Sequence, residues 1–181
     1  MVRIEIRKAE NTDLWDIANI WRRNIKTINT ASDIARLYHY FKKYFLIAVI
    51  HKEEEKEEHG QGYEGYDIIG FIAGAVRDGH GHVSGIAVER EYRRQGIGGS
   101  LLRRLYEEFY NDGFERVTLE VRKSNKEAIR FYEGQGFKPA FVIHGYYADG
   151  EDAIVYEKRF TFTFTDENPI SHRKEGRVDG S

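Results

Sequence analysis

The 181-residue chain contains no cysteine, and that single absence removes disulfides, zinc–thiolate centres and thiol nucleophiles together. It has no apolar run near the roughly 18–20 residues that a membrane span requires. The start, Met1-Val2-Arg3-Ile4-Glu5-Ile6, alternates like a strand and lacks the apolar block of a signal peptide. Neither sign of charge is in excess: 28 Lys and Arg stand against 30 Asp and Glu, with a sequence pI of about 6.4. Bulk electrostatics therefore gives no push toward nucleic acid or an anionic membrane. A cytoplasmic protein without a membrane or nucleic-acid partner is the expectation. Two alternating histidines, His80 and His82, could share a metal, but no carboxylate–histidine pattern completes a ligand set, so no metal is expected. The Gly-x-Ser-x-Gly elbow of a serine hydrolase is also missing.

What is present is a chain of one-domain length, 40% hydrophobic and 32% charged, able to bury a sizeable core. Alternation and periodicity predict strands over 2–8, 44–50, 67–76, 82–89, 115–121, 137–145 and 153–164. Helices are predicted over 11–24, 32–43, 97–111 and 125–135. Asp78-Gly79 suits a tight hairpin turn, and Gly113 suits a helix end. The acidic run Lys52-Glu53-Glu54-Glu55-Lys56-Glu57-Glu58-His59 is expected to be a hydrated loop tip rather than a docking patch. Residues 1–165 form the expected domain, and the polar residues 166–181 an expected disordered tail.

Glycines cluster at one informative place. Ile86-Ala87-Val88 is the end of an apolar strand; Glu89-Arg90-Glu91-Tyr92-Arg93-Arg94-Gln95-Gly96 is a basic turn; Ile97-Gly98-Gly99-Ser100-Leu101-Leu102 opens an amphipathic helix. Small residues let backbone N–H groups approach a ligand, and a helix N-terminus offers unpaired donors and partial positive charge. With Arg93 and Arg94 alongside, this is the chemistry of a pyrophosphate site. A dinucleotide fingerprint would need glycine where Leu101 stands, and a nucleoside-triphosphate loop would need a lysine before Ser100. A glycine-rich helix start with solvated arginines is the plain alternative.

The segment resembles the acetyl-CoA-binding motif of the GNAT superfamily, Arg/Gln-x-x-Gly-x-Gly/Ala, at Arg93, Gly96 and Gly98. A second stretch strengthens the resemblance. Leu119-Glu120-Val121-Arg122-Lys123-Ser124-Asn125, the helix carrying Ala128-Ile129 and Tyr132-Glu133, Gly136-Phe137, and the late Tyr146-Tyr147-Ala148-Asp149-Gly150-Glu151-Asp152-Ala153 are similar to RimI-like protein N-terminal acetyltransferases. These matches run in order over residues 83–156.

The resemblance implies a GNAT fold of the α/β class, a mixed twisted sheet of about seven strands with helices on both faces. It implies acetyl-CoA as co-substrate, with Ile86, Ala87 and Val88 lending backbone groups to the pantetheine arm. The turn Arg94, Gln95, Gly96, Ile97, Gly98, Gly99 and Ser100 would hold the pyrophosphate, and Asn125 would touch the CoA chain. Glu120 would be general base and Tyr132 general acid, since an amine must lose a proton before attack and a leaving thiolate must gain one. Tyr146 and Tyr147 would line the substrate groove. Read as isolated residues, Glu120 could instead face solvent or pair with Arg122, and Tyr132 could be core packing.

The acceptor that the resemblance implies is a peptide or protein N-terminus, such as that of a ribosomal protein, acetylated directly in a ternary complex. Residues 23–30 depart from the family pattern, lacking proline and carrying Lys26. That departure keeps open a small amine, polyamine or lysine side chain as acceptor, and a non-catalytic CoA-binding module is the alternative of a different class.

Overall fold

The computed structural model describes residues 4–26, 28–51 and 65–160; the acidic run and the polar tail assigned from sequence lie outside them. Among the described residues seven strands form one sheet in the order β1-β2-β3-β4-β5-β7-β6. They are β1 (Ile4–Lys8), β2 (Phe45–His51), β3 (Tyr66–Arg77), β4 (His80–Val88), β5 (Arg116–Arg122), β6 (Lys138–Ile143) and β7 (Ala153–Arg159). The helices are α1 (Leu14–Asn24), α2 (Ala31–Phe41), α3 (Ile97–Asn111) and α4 (Lys126–Gly134).

Local chemistry explains the boundaries. The expected helix over 11–24 starts with a 3-10 turn, Asn11–Asp13, because the Asp13 carboxylate folds back to accept the Glu10 amide at 2.7 Å. That carboxylate is almost fully buried, and Arg7 and the Tyr66 hydroxyl also donate to it, at 2.8 and 2.7 Å. Burial alone would raise the Asp13 pKa, but these donors hold it below the usual carboxylate range. α2 begins one residue earlier than expected, since Thr30 and Asp33 form a reciprocal capping box. The β3–β4 hairpin turns through Asp78 and Gly79, both with positive φ, as a two-residue turn requires.

Strand alternation sorts the core onto two faces. Phe45, Ile47 and Val49 of β2 pack with Ile17, Ile20 and Trp21 of α1 and Ile34 and Tyr38 of α2. Leu46 and Ala48 point the other way, into a cluster with Leu101, Leu102, Leu105 and Phe109 of α3. A continuous apolar strand is what a sheet covered on both faces demands. Three bulges interrupt the ladders: consecutive β2 residues pair with Gly70 and Ile68, leaving Ile69 extra; Ala73 and Gly74 pair with Gly85 and Val83, leaving Ser84 extra; and Pro139 and Phe141 pair with Tyr156 and Val155, leaving Ala140 extra.

The junction between β4 and β5 positions everything that follows. These are the sheet's parallel neighbours, and they pair only at Gly81↔Val117 and His82↔Thr118. All other adjacent strands are antiparallel, through five or more registered pairs. Beyond His82 and Thr118 the two strands separate, so the backbone edge of β4 from Val83 onward has no neighbouring strand. Gly81 permits this close junction. A Cβ there would lie 2.7–2.9 Å from ring carbons of the fully buried Phe109.

Gly81→Ala should therefore cost about 1–3 kcal/mol of stability, the usual range for overpacking. Urea unfolding checks this, with a lower midpoint and an unchanged slope expected.

Candidate active site

The separation of β4 and β5 opens a cleft of about 890 Å³. One wall is β4, from His82 to Ile86; the other is Glu120–Arg122 of β5 with Asn125, Ala128 and Tyr132 around α4. Two loops flank its mouth. Residues 25, 26, 28 and 29 follow α1, and residues 146–149 lie between β6 and β7.

At the base of α3 the turn has the geometry of an anion cradle. Arg94 and Gly96 adopt left-handed backbone angles, φ 61° and 81°, and the first α-helical bond runs from the Ser100 amide to the Gly96 carbonyl at 3.0 Å. The amides of Ile97, Gly98 and Gly99 therefore precede the intrahelical ladder, as a helix N-terminus requires for binding phosphate. A Cβ on Gly96 would meet open space within 4 Å, so positive φ rather than crowding selects glycine there. Val88 and Ile86 lie on the stretch of β4 that pairs with β3 but not with β5, and Ala87 turns into the core.

The two arginines of the turn have different duties. Arg93 donates Nε to the Val88 carbonyl at 2.9 Å and Nη2 to Asn24 Oδ1 at 2.7 Å, tying the turn to the end of α1. Asn24 in turn donates to Glu89, 3.3 Å away, which Arg23 also binds. Arg94 is exposed and makes no ion pair or hydrogen bond among the described residues. Asn125 lines the cleft and caps α4, its Oδ1 accepting the Ala128 amide at 3.1 Å.

Glu120 lies on the cleft wall with its side chain 16% exposed. Burial raises its pKa, while Arg77, at 3.6 Å, and the Tyr146 hydroxyl draw it back down. The ion pair with Arg122 considered from sequence does not form. Arg122 instead binds Asp149 and Glu151 at 3.0 and 2.9 Å and stacks on the Tyr147 ring at 3.8 Å.

The neighbour that sequence reading did not assign is His82. It is 1% exposed, and its Nε2 stands 3.3 Å from Glu120 Oε2. Burial, with the charges of Arg77 and His80, pushes its pKa down to about 3, so the ring is neutral at physiological pH. Alternation along β4 places His82 beside the cleft, but only the strand pairing reveals that Glu120 is its neighbour. Among the described residues no group of His, Asp and Glu is arranged to hold a metal.

Tyr132 is buried beneath the cleft against Phe131 and Phe137. Burial, then the nearby Tyr147, raises its pKa, so the phenol stays protonated at neutral pH. Tyr146 and Tyr147 meet edge to face at 5.1 Å, and burial pushes Tyr147 up to about 12. Lys26, from the loop after α1, reaches Asp149 in the opposite loop at 2.5 Å. Ser84 Oγ and Trp21 Nε1, both on residues lining the cleft, are buried without a hydrogen-bond partner among the described residues. Such groups are costly unless a ligand or water satisfies them.

Residues 14–137 match the family model described as the acetyltransferase (GNAT) family. The chain belongs to the GNAT acetyltransferase family. It is 33% identical over 155 residues to an uncharacterized N-acetyltransferase of Methanocaldococcus jannaschii, covering 85% of this chain and 90% of the relative. An N-alpha-acetyltransferase of Saccharolobus solfataricus is 48% identical over 50% of this chain and 54% of its own length, so that match spans about half of each protein. The crystal structure of the ribosomal-protein-S18-alanine N-acetyltransferase from Escherichia coli superposes with a TM-score of 0.69 at 27% identity, covering 91% of this chain and 98% of that one.

This GNAT acetyltransferase is an acetyl-CoA-dependent enzyme, and its residues fit the co-substrate: a left-handed turn ahead of unbonded helix amides for the diphosphate, and an unpaired strand edge beside it. Because Arg93 is engaged by protein groups and Arg94 is not, their substitutions should separate. Arg94→Ala should weaken acetyl-CoA binding about tenfold, for loss of roughly 1.5 kcal/mol of charge-assisted contact. Arg93→Ala should lower the melting temperature as well, by freeing the turn from α1. Calorimetric titration and thermal unfolding of the two single variants test the division; equal effects on both readouts would refute it.

Proposed function

We propose that this acetyltransferase modifies the α-amino group of polypeptide chains, with Glu120 as general base and Tyr132 as general acid. The observation that carries the proposal is the cleft itself. A partly desolvated carboxylate and a protonated buried phenol line one cavity, and the unpaired edge of β4 runs along its opposite wall. The N-alpha-acetyltransferase relative, and the alanine N-acetyltransferase with the same fold, support the choice of acceptor.

The chemistry follows from proton positions. An ammonium has no lone pair, so the acceptor must be neutral before it attacks. An α-amine with a pKa of about 7.7–8.0 gives up its proton far more readily than a lysine near 10.4, within reach of a carboxylate working directly or through one water. Burial brings the Glu120 pKa nearer to that of the amine, which makes the carboxylate a stronger base. Arg77, 3.6 Å away, offsets part of that rise by favouring the charged form. Acetyl-CoA supplies the acyl group as an activated thioester. Tyr132, protonated because it is buried, is suited to giving a proton to the departing sulfur. Tyr146 and Tyr147 offer apolar faces and hydroxyls to a peptide backbone between the two loops.

With no cysteine to carry an acetyl thioester, transfer is direct and both substrates are bound together. Cytoplasmic protein N-termini, ribosomal proteins among them, are the partners this reading implies.

Glu120→Gln keeps the shape and removes the base, so turnover should fall roughly 10²–10⁴-fold. The loss should shrink at high pH, where more of the amine is already neutral; wild-type turnover in folded protein would remove Glu120 from the mechanism. The acceptor is tested with paired peptides, one with a free N-terminus and blocked lysines, its twin with the reverse. Faster acetylation of the free N-terminus is expected, and the opposite order would transfer the assignment to side-chain amines.

A further inference from the structure

Beside Glu120 runs a chain of polar side chains built from alternate residues of two neighbouring strands. β4 supplies His80 and His82, and β5 supplies Thr118 and Glu120. The His82↔Thr118 pairing, the last before the strands part, sets them side by side. His82 Nδ1 lies 3.1 Å from Thr118 Oγ1, and His80 Nε2 lies 2.9 Å from the same oxygen. The remaining nitrogen of His82, Nε2, is the one 3.3 Å from Glu120 Oε2. At the outer end His80 Nδ1 has both a donor and an acceptor within reach, Arg116 Nη2 at 3.5 Å and the Asp78 carbonyl at 3.4 Å.

Two arrangements of hydrogens satisfy this chain, and an ionised Glu120 favours one of them. A neutral imidazole carries one N–H, and a carboxylate only accepts. His82 Nε2 and Glu120 Oε2 approach to 3.3 Å without forming an aligned hydrogen bond, and a carboxylate that close favours a hydrogen on Nε2 over a lone pair there, which leaves Nδ1 a bare acceptor. Thr118 must give its hydroxyl hydrogen to that Nδ1. Having one hydrogen to give, its oxygen takes a donor in return, His80 Nε2–H. The reverse polarity would run from His82 Nδ1–H through Thr118 to a bare His80 Nε2. It would end with a lone pair of His82 turned on the carboxylate, in a site where an unfavourable contact is not screened by water.

We propose that Thr118 and His80 are positioning residues, which fix the hydrogen of His82 on Nε2 and so hold the ionised Glu120 in place for proton abstraction. This rests on the reading of Glu120 as the base. Neither residue touches the reacting atoms in this scheme. Their effect passes through the ring of His82, as second-partner hydrogen bonds set which nitrogen of a histidine is protonated. The threonine is the sensitive link. Thr118 is 8% exposed, and valine would keep its branched shape while removing the hydroxyl.

The tautomer is read directly from two-bond nitrogen–proton correlation spectra of protein labelled with 15N-histidine. In the wild-type protein His82 should carry its hydrogen on Nε2. In Thr118→Val the buried Nδ1 loses its donor, the Nδ1–H form should become populated, and turnover should fall about tenfold, the worth of one well-placed hydrogen bond. The acidic limb of the rate profile should move to higher pH, because a donor that favoured the charged carboxylate is lost. Arg77 and Tyr146, which also face Glu120, and Arg77 and His80, which face His82, remain unchanged in this variant. Thr118→Ser should restore the tautomer and the profile. His80→Gln should produce a smaller shift in the same direction.

An Nδ1–H tautomer in the wild-type protein would overturn the proposal without any variant, and so would a Thr118→Val protein with wild-type tautomer and profile. Because the tautomer is measured apart from activity, failure here is distinct from a failure of Glu120 as base, which Glu120→Gln reports.

Discussion

Two residue pairs hold β4 and β5 together, and the rest of the enzyme depends on their being so few. A parallel pair continued to the strand ends would bury the backbone edge of β4 and close the cavity. Stopping at His82 and Thr118 leaves an exposed strand edge, a wedge-shaped opening and two walls that each project side chains into it. The cost is a run of main-chain donors and acceptors without a strand partner, which are expensive to leave buried unless water or a ligand bonds them. A bulge at Ser84 falls in this stretch, where departures from regular pairing re-aim a strand. Catalytic space in this fold is thus an unfinished sheet.

Much of the arrangement was legible from residue order alone, for a physical reason. The strand–turn–helix at residues 86–102 and the strand–turn–helix at 118–135 are local objects. Their backbone angles, caps and glycine positions are set by neighbours within a few places. Gly96 takes the left-handed angle of its turn and Asn125 caps α4 because glycine's freedom and asparagine's short side chain act at short range. Glu120 and Tyr132 followed from the family pattern, and both line the cleft.

What could not be read is contact across distance. Arg93 carries the right charge for a diphosphate, yet its guanidinium is claimed by Asn24, 69 residues earlier. Arg122 stands two places from Glu120 on the same strand, which made a pair plausible. The loop between β6 and β7 instead brings Asp149 and Glu151, and these win because they offer carboxylates close at hand without the burial that disfavours charge on Glu120. His82 was weighed from sequence only as a metal ligand. Its company with Glu120 depends on a register that no local pattern encodes. Helix starts shifted by a residue or so for the same reason on a smaller scale, since capping carboxylates at Asp13 and Asp33 decide where a helix begins.

The ion pair between Lys26 and Asp149 joins the two loops at the cleft mouth, and both partners are well exposed, at 71% and 37%. A tie of that kind is weak and is screened by salt. A tunnel closed by a hydrophobic clasp would admit only a ligand small enough to thread it. Here an acceptor that continues outward as a long chain can lie between the loops while solvent ions and water take over the separated charges. The threshold of the site is therefore soft toward length, and a strict fit is demanded only further in, where His82, Glu120 and Tyr132 lie largely out of solvent and a misplaced group has no water to rescue it.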